Sequence, residues 1–166
     1  MGSHRPLVLL GFMGAGKSTV GRRAAELVGA DFLDLDQLIE GEAGRSIPDI
    51  FRAHGEAGFR SREAACLRDA LAEDAIVAVG GGTPMDDASW SLMRERALTV
   101  WLDAPLGQLL RRADAETRPM LHGRSPQEVE ELYRVRALRY GEADHRLDGT
   151  GAVEDLAREV ARLWDG

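Results

Sequence analysis

The stretch Gly11–Thr19 reads GFMGAGKST and holds Lys17, the one lysine among 21 basic residues. It fits the spacing G-x-x-x-x-G-K-[ST] at every fixed position. Glycines let backbone N–H groups turn inward around an anion, and the N-terminus of the following helix adds a favourable dipole. Lysine carries a compact charge on a flexible stem and can reach between β- and γ-phosphates, where the planar guanidinium of arginine fits less well. An incidental lysine in a glycine-rich turn is the bland alternative. The apolar run directly before the loop and the helical STVGRRAAELVG directly after it argue against that alternative. The hydroxyl of Ser18 is then expected to ligate Mg²⁺.

Three further groups point to a small phosphate acceptor. Asp34 and Asp36, in DLD, are expected at the carboxyl end of the second strand, two apart and on one side of it, where a parallel sheet opens its ligand crevice. One would serve the metal shell and the other a substrate hydroxyl; the competing reading of Asp36 is a helix N-cap ahead of QLIE. Gly80, Gly81 and Gly82 end the third strand and allow close approach of a ligand to backbone, or simply make a tight turn. Arg60 shares a helical stripe with Ala64, Leu67 and Leu71, and Arg136 with Val129, Tyr133 and Tyr140. A guanidinium facing inward needs an anionic partner. For Arg60 that is either Glu63, one turn away, or a substrate carboxylate; Arg136 either meets such a carboxylate or snorkels to water. Arg118, in TRPMLHG, is a candidate to close over the γ-phosphate from a loop, against the alternative of a solvated loop charge. Asp103, ending LTVWLD, is the runner-up to Asp34 near the metal.

The elements that must position these groups are legible as alternating runs. PLVLL (Pro6–Leu10), DFLDL (Asp31–Leu35), AIVAV (Ala75–Val79) and LTVWL (Leu98–Leu102) read as strands, and HRLDG (His145–Gly149) as a weaker fifth. Unalternated apolar runs separated by helical patterns predict an α/β fold with a parallel sheet covered on both faces. Ser46 and Ser125 read as helix N-caps, with Pro126 in the first turn of a helix ending near Tyr140. A last helix, Val153–Trp164, places Val153, Leu156, Ala157, Val160 and Leu163 on one stripe. Residues 113–124 lack periodicity and read as a surface loop. The chain's 166 residues suit one domain, and Met1–His4 reads as an expression scar. A net charge of −7 argues against non-specific nucleic-acid or membrane binding. The single cysteine, Cys66, excludes an internal disulfide and fits a reducing, cytoplasmic setting. Cys66 and the dispersed Trp90, Trp101 and Trp164 read as packing residues, and the four histidines show no metal-ligand spacing.

The pieces GFMGAGKSTVGR, DLDQLIE, SIPDIF, GEAGFRSREA, GGGTP, RPMLHG and RVRALRYGEAD, in this order across Pro6–Leu163, resemble the shikimate kinases. That resemblance implies a three-layer α/β/α P-loop kinase fold with a five-stranded parallel sheet, a substrate-binding lobe at about 35–62 and a lid at about 113–124. It implies transfer of the γ-phosphoryl of ATP to the 3-hydroxyl of shikimate by a monomer, with Mg²⁺ as cofactor. It places Gly14, Ala15, Gly16, Lys17, Ser18 and Thr19 on ATP phosphates and Asp34 on the metal through water. Asp36 would contact the reacting hydroxyl, Arg60 and Arg136 the shikimate carboxylate, and Gly80, Gly81 and Gly82 the substrate. Arg118 would reach ATP phosphates, and Arg111 or Arg112 the adenine. The sequence departs from the family pattern at Met120 and Thr83, neither expected to touch a catalytic group.

The absence of any asparagine removes the N-K-x-D guanine-reading motif and with it most of the case for a GTPase. A gluconate-type sugar kinase and a nucleoside monophosphate kinase share the loop and the fold; Arg60 and Arg136 with Asp36 favour a hydroxy-acid over a nucleobase. A catalytically dead binding module would have little reason to keep Lys17, Ser18, Asp34 and Arg118 together.

Overall fold

The structure is a computed structural model that describes residues 4–113, 121 and 123–166. Five parallel strands form one sheet: β1 (Leu7–Leu10), β2 (Asp31–Asp34), β3 (Ala75–Ala78), β4 (Leu98–Asp103) and β5 (His145–Asp148). Their spatial order is β2-β3-β1-β4-β5. Every residue of β1 and β3 is buried, so both faces of the sheet centre are covered and the fold has three layers. The edge strands β2 and β5 are wetter, which is why HRLDG gives the weakest apolar signal.

Among the described residues, seven α-helices accompany the strands: α1 (Lys17–Val28), α2 (Leu35–Ala43), α3 (Ile47–Ala70), α4 (Asp87–Arg96), α5 (Leu106–Arg112), α6 (Pro126–Tyr140) and α7 (Val153–Asp165). Helix α1 packs on α7 and on β1–β3, while α4 lies against β4 and α3. Ser46 and Ser125 accept the backbone N–H of Asp49 and Glu128, capping α3 and α6 as expected. On α7 the buried stripe is Leu156, Ala157, Val160 and Trp164; Val153, expected there, lies at the open first turn and is exposed. All three tryptophans and Cys66 are buried. The Cys66 thiol donates to Glu42 Oε2 at 2.9 Å, and burial, with that contact, pushes its pKa up to about 12. It is therefore a packing group, unreactive at neutral pH.

One local feature differs from the sequence expectation, and a second is new with the structure. Strand β2 ends at Asp34, and Leu35 already opens α2, so Asp36 stands in the first turn of a helix and not beside Asp34 on a strand. The N-cap is Asp34, whose Oδ1 accepts the N–H of Gln37 at 3.2 Å, and not Asp36. Helix α3 is also broken in direction at Gly55, whose φ of 69° and ψ of −175° are open to glycine almost alone. Among the described residues, no helix is long and apolar enough to cross a membrane.

Candidate active site

The order β2-β3-β1-β4-β5 puts the loop after β1 next to the turn after β3 at the carboxyl edge of the sheet. The loop after β1 is Gly11–Gly16. Gly16, at φ 84°, caps α1 in a left-handed conformation, so Lys17 and Ser18 occupy the helix's first turn. Lys17 Nζ donates to the carbonyls of Gly11 at 2.5 Å and Phe12 at 3.4 Å. Burial pulls its pKa down to about 8; Asp36 and Asp34 oppose the shift and Arg136 adds to it. Ser18 Oγ donates to Asp34 Oδ2 at 2.7 Å, so the hydroxyl and carboxylate expected at the metal are in contact. Asp103, the runner-up, is instead taken by Arg146 Nε at 2.9 Å and by the hydroxyl of Tyr133 at 3.4 Å.

Across the crevice, the triple glycine is pressed against three of the expected acceptor residues. A methyl group on Gly80 would stand 3.2 Å from Asp36 Oδ1. One on Gly81 would stand 2.9 Å from Arg136 Nη1, and one on Gly82 2.8 Å from Arg60 Nη2 and 3.3 Å from Arg136 Nη2. No side chain larger than hydrogen fits this turn without displacing the charged groups. Asp36, Arg60 and Arg136, from α2, α3 and α6, thus converge on one backbone segment.

The electrostatics of the three differ. Burial raises the Asp36 pKa to about 6; Asp34 adds to that, Lys17 opposes it, and Glu63 and Glu40 add smaller repulsions. The half-buried Arg136 lies over the Phe12 ring at 5.7 Å and is ion-paired with no carboxylate among the described residues. Its pKa is lowered by burial, then by the neighbouring cations Arg60 and Arg124, with Tyr140 opposing. Arg60 Nη1 meets Glu63 Oε1 at 2.6 Å, so the structural partner expected for it is real, yet Nη2 still faces Gly82.

Three residues of the site escaped the sequence reading. Glu63, expected only as a partner of Arg60, is almost wholly buried and uses both oxygens. Thr83, expected to be idle, is fully buried and donates to Glu63 Oε2 at 2.9 Å. Tyr140, also fully buried, donates its hydroxyl to the Gly81 carbonyl at 2.5 Å. The i+3 spacing of Glu63 from Arg60 and the i+4 spacing of Tyr140 from Arg136 were the available signals; Thr83 gave none beyond its departure from a small apolar residue. Of the arginine pair on α5, Arg112 Nη1 donates to the Gly149 carbonyl at 2.8 Å. Arg118 lies outside the described residues, as does most of the expected lid.

Residues 13–163 match the family model described as shikimate kinase. A shikimate kinase of Synechococcus elongatus is 41% identical over 162 residues, which cover 96% of this chain and 84% of the relative. The solved shikimate kinase of Acinetobacter baumannii, in complex with shikimate, is 37% identical, covers 97% of this chain and 93% of its own, and superimposes with a TM-score of 0.89. A gluconokinase of Sinorhizobium meliloti, at 20% identity and a TM-score of 0.57, shares the fold alone. The chain belongs to the shikimate kinase family, whose members are ATP-dependent kinases.

Proposed function

We propose that the crevice binds shikimate between Arg60 and Arg136 and directs its 3-hydroxyl past Asp36 to the γ-phosphate of ATP. The observation that carries this reading is Arg136. A half-buried guanidinium beside a second guanidinium, with no carboxylate paired to it among the described residues, is costly unless a ligand supplies the anion. A carboxylate accepts both N–H groups of such a fork. The shikimate complex of the Acinetobacter relative supports the same acceptor class.

Phosphoryl transfer through a loose transition state asks the protein mainly for positioning and charge neutralisation. Gly14–Thr19 would hold the phosphates by backbone N–H groups, and Lys17 would exchange its two carbonyl acceptors for phosphate oxygens. Asp36, poised near pH 6, would orient the acceptor hydroxyl and take its proton as that oxygen bonds to the γ-phosphorus and the bond from phosphorus to the β–γ bridging oxygen breaks, with ADP leaving. The touching hard-oxygen pair Ser18 and Asp34 suits Mg²⁺, with Asp34 acting through water. Mg²⁺ would neutralise phosphate charge there; kinase sites hold it with one or two protein ligands plus phosphates, so no larger protein cage is needed.

A coupled ADP-release assay with shikimate, gluconate and nucleoside monophosphates at matched concentrations tests the proposal. Shikimate should give turnover at least a hundred times above the others. Equal rates with gluconate would move the site to the sugar kinases, and no turnover with any acceptor would favour a binding module.

A further inference from the structure

We propose that Thr83 is a positioning residue of the acceptor site, holding Glu63 so that Arg60 points across Gly82. The proposal deepens the shikimate kinase reading and rests on it. Thr83 follows the triple glycine and opens a short turn, Thr83–Met85. The backbone of that turn is set without the hydroxyl: Thr83 N–H donates to Gly80 O, and Thr83 O accepts from Asp86. The hydroxyl itself is buried and directed at Glu63 Oε2, 2.9 Å away.

The other oxygen of Glu63 takes Arg60 Nη1 at 2.6 Å. Arg60 has a second carboxylate within reach, Glu56, whose oxygen lies 3.9 Å from Nε on the solvent side. Arg60 therefore stands between an exposed carboxylate and a buried one. With Nη1 held by the buried Glu63, Nη2 faces Gly82 and the acceptor crevice. With Thr83 in place both Glu63 oxygens are filled and the carboxylate plane is fixed. Without the hydroxyl, Oε2 has no partner, the carboxylate is free to rotate, and Arg60 can relax toward Glu56 and away from the crevice. Thr83 thus ties the glycine turn on one wall of the site to the guanidinium on the other.

The test is steady-state kinetics of the full chain as wild type, Thr83→Val and Thr83→Ser. Shikimate is varied at saturating ATP, then ATP at saturating shikimate. Valine keeps the shape and loses the hydrogen bond; serine keeps the bond. Thr83→Val should raise the KM for shikimate about tenfold, the equivalent of about 1.4 kcal/mol, and leave the KM for ATP within twofold. Thr83→Ser should restore the wild-type KM for shikimate. A Thr83→Val enzyme of lower Tm but unchanged KM would overturn the proposal, because the bond would then serve only the fold. An equal rise in both KM values, or a serine variant that behaves like valine, would overturn it too. If Thr83→Val and Thr83→Ala both fail to fold while Thr83→Ser folds, the hydroxyl serves the fold and the proposal falls. A wild type inactive toward shikimate sinks the acceptor assignment itself, which is a separate result from a Thr83→Val enzyme equal to an active wild type.

Discussion

Asp36 and Lys17 are held away from their ordinary protonation by the same burial, and in opposite senses. Asp36 rests near 6 and Lys17 near 8 in the ligand-free protein. If catalysis needs the carboxylate and the ammonium together, kcat/KM rises with pH through about 6 and falls through about 8, since that ratio reports the free enzyme. Asp36→Asn should lower kcat severely and abolish the acidic limb; a variant that keeps the limb would detach it from Asp36. The stability sign runs the other way. A carboxyl whose folded pKa is raised binds its proton more tightly folded than unfolded, so its contribution is full below the unfolded value near 3.8 and is lost as pH rises through about 6. Asp36→Asn should therefore raise the Tm at pH 7–8 by a few degrees while removing activity. At Arg136 the burden falls on substrate discrimination. Truncating one partner of a desolvated guanidinium–carboxylate pair costs about 2–5 kcal/mol, so Arg136→Ala should raise the KM for shikimate by about two orders of magnitude or more. Arg136→Lys, which keeps charge but loses the fork, should fall between. The KM for ATP should hardly move in either. A neutral amide analogue should be a poor acceptor for the wild type and much less disfavoured by Arg136→Ala; equal discrimination in both would show that Arg136 does not read the carboxylate.

Each proposed acceptor-binding group reaches the crevice because an element ends or bends at a defined place, and α3 shows this best. Its segments 47–54 and 56–70 meet at Gly55, and the second carries Arg60 and Glu63. A side chain at Gly55 would have open space around it, so only the backbone opposes a substitution. Gly55→Ala should cost about 1–3 kcal/mol in denaturant unfolding; a variant as stable as the wild type would mean that the two segments can run on as one straight helix. The kink was not legible in the sequence, since GEAGFR continues a helical pattern and glycine within a helix is ordinarily only a modest cost. The five strands were legible to within a residue at each end because β1, β3 and β4 are continuous apolar runs. Both serine caps were legible from local chemistry. The start of α2 was not: DLD supports either a longer strand or an earlier helix, and the cap on Gln37 decided it. Glu63 and Thr83 were hidden for a different reason. They lie 20 positions apart, and their bond exists only once α3 and the turn after β3 are packed together.

At the scale of the whole molecule, the protein carries a net charge of −7 yet gathers Lys17, Arg60 and Arg136 at one edge of its sheet. The proposed acceptor half of that edge draws on α2, α3, α6 and the turn after β3, and the proposed nucleotide half on the loop before α1. All of these elements sit on one continuous core of buried residues that runs from Leu7 to Trp164. Unfolding should therefore be a single cooperative transition, and each ligand should shift it by mass action through its own half of the site. Shikimate at a hundred times its Kd should stabilise the wild type by about 2.7 kcal/mol, or roughly 5–10 °C in Tm for a chain of this length. If Arg136→Ala weakens shikimate about a hundredfold, the same concentration only half-saturates it. The shift should then shrink to about 0.4 kcal/mol, near one degree. The shift produced by ATP with Mg²⁺ should survive in the variant, because every group proposed to hold the phosphates is still present. Thermal unfolding of both proteins, with each ligand alone, measures this directly. Equal shikimate shifts in wild type and Arg136→Ala would remove the acceptor from the arginine pair. Loss of both shifts together would mean that the two halves of the crevice are not separately built.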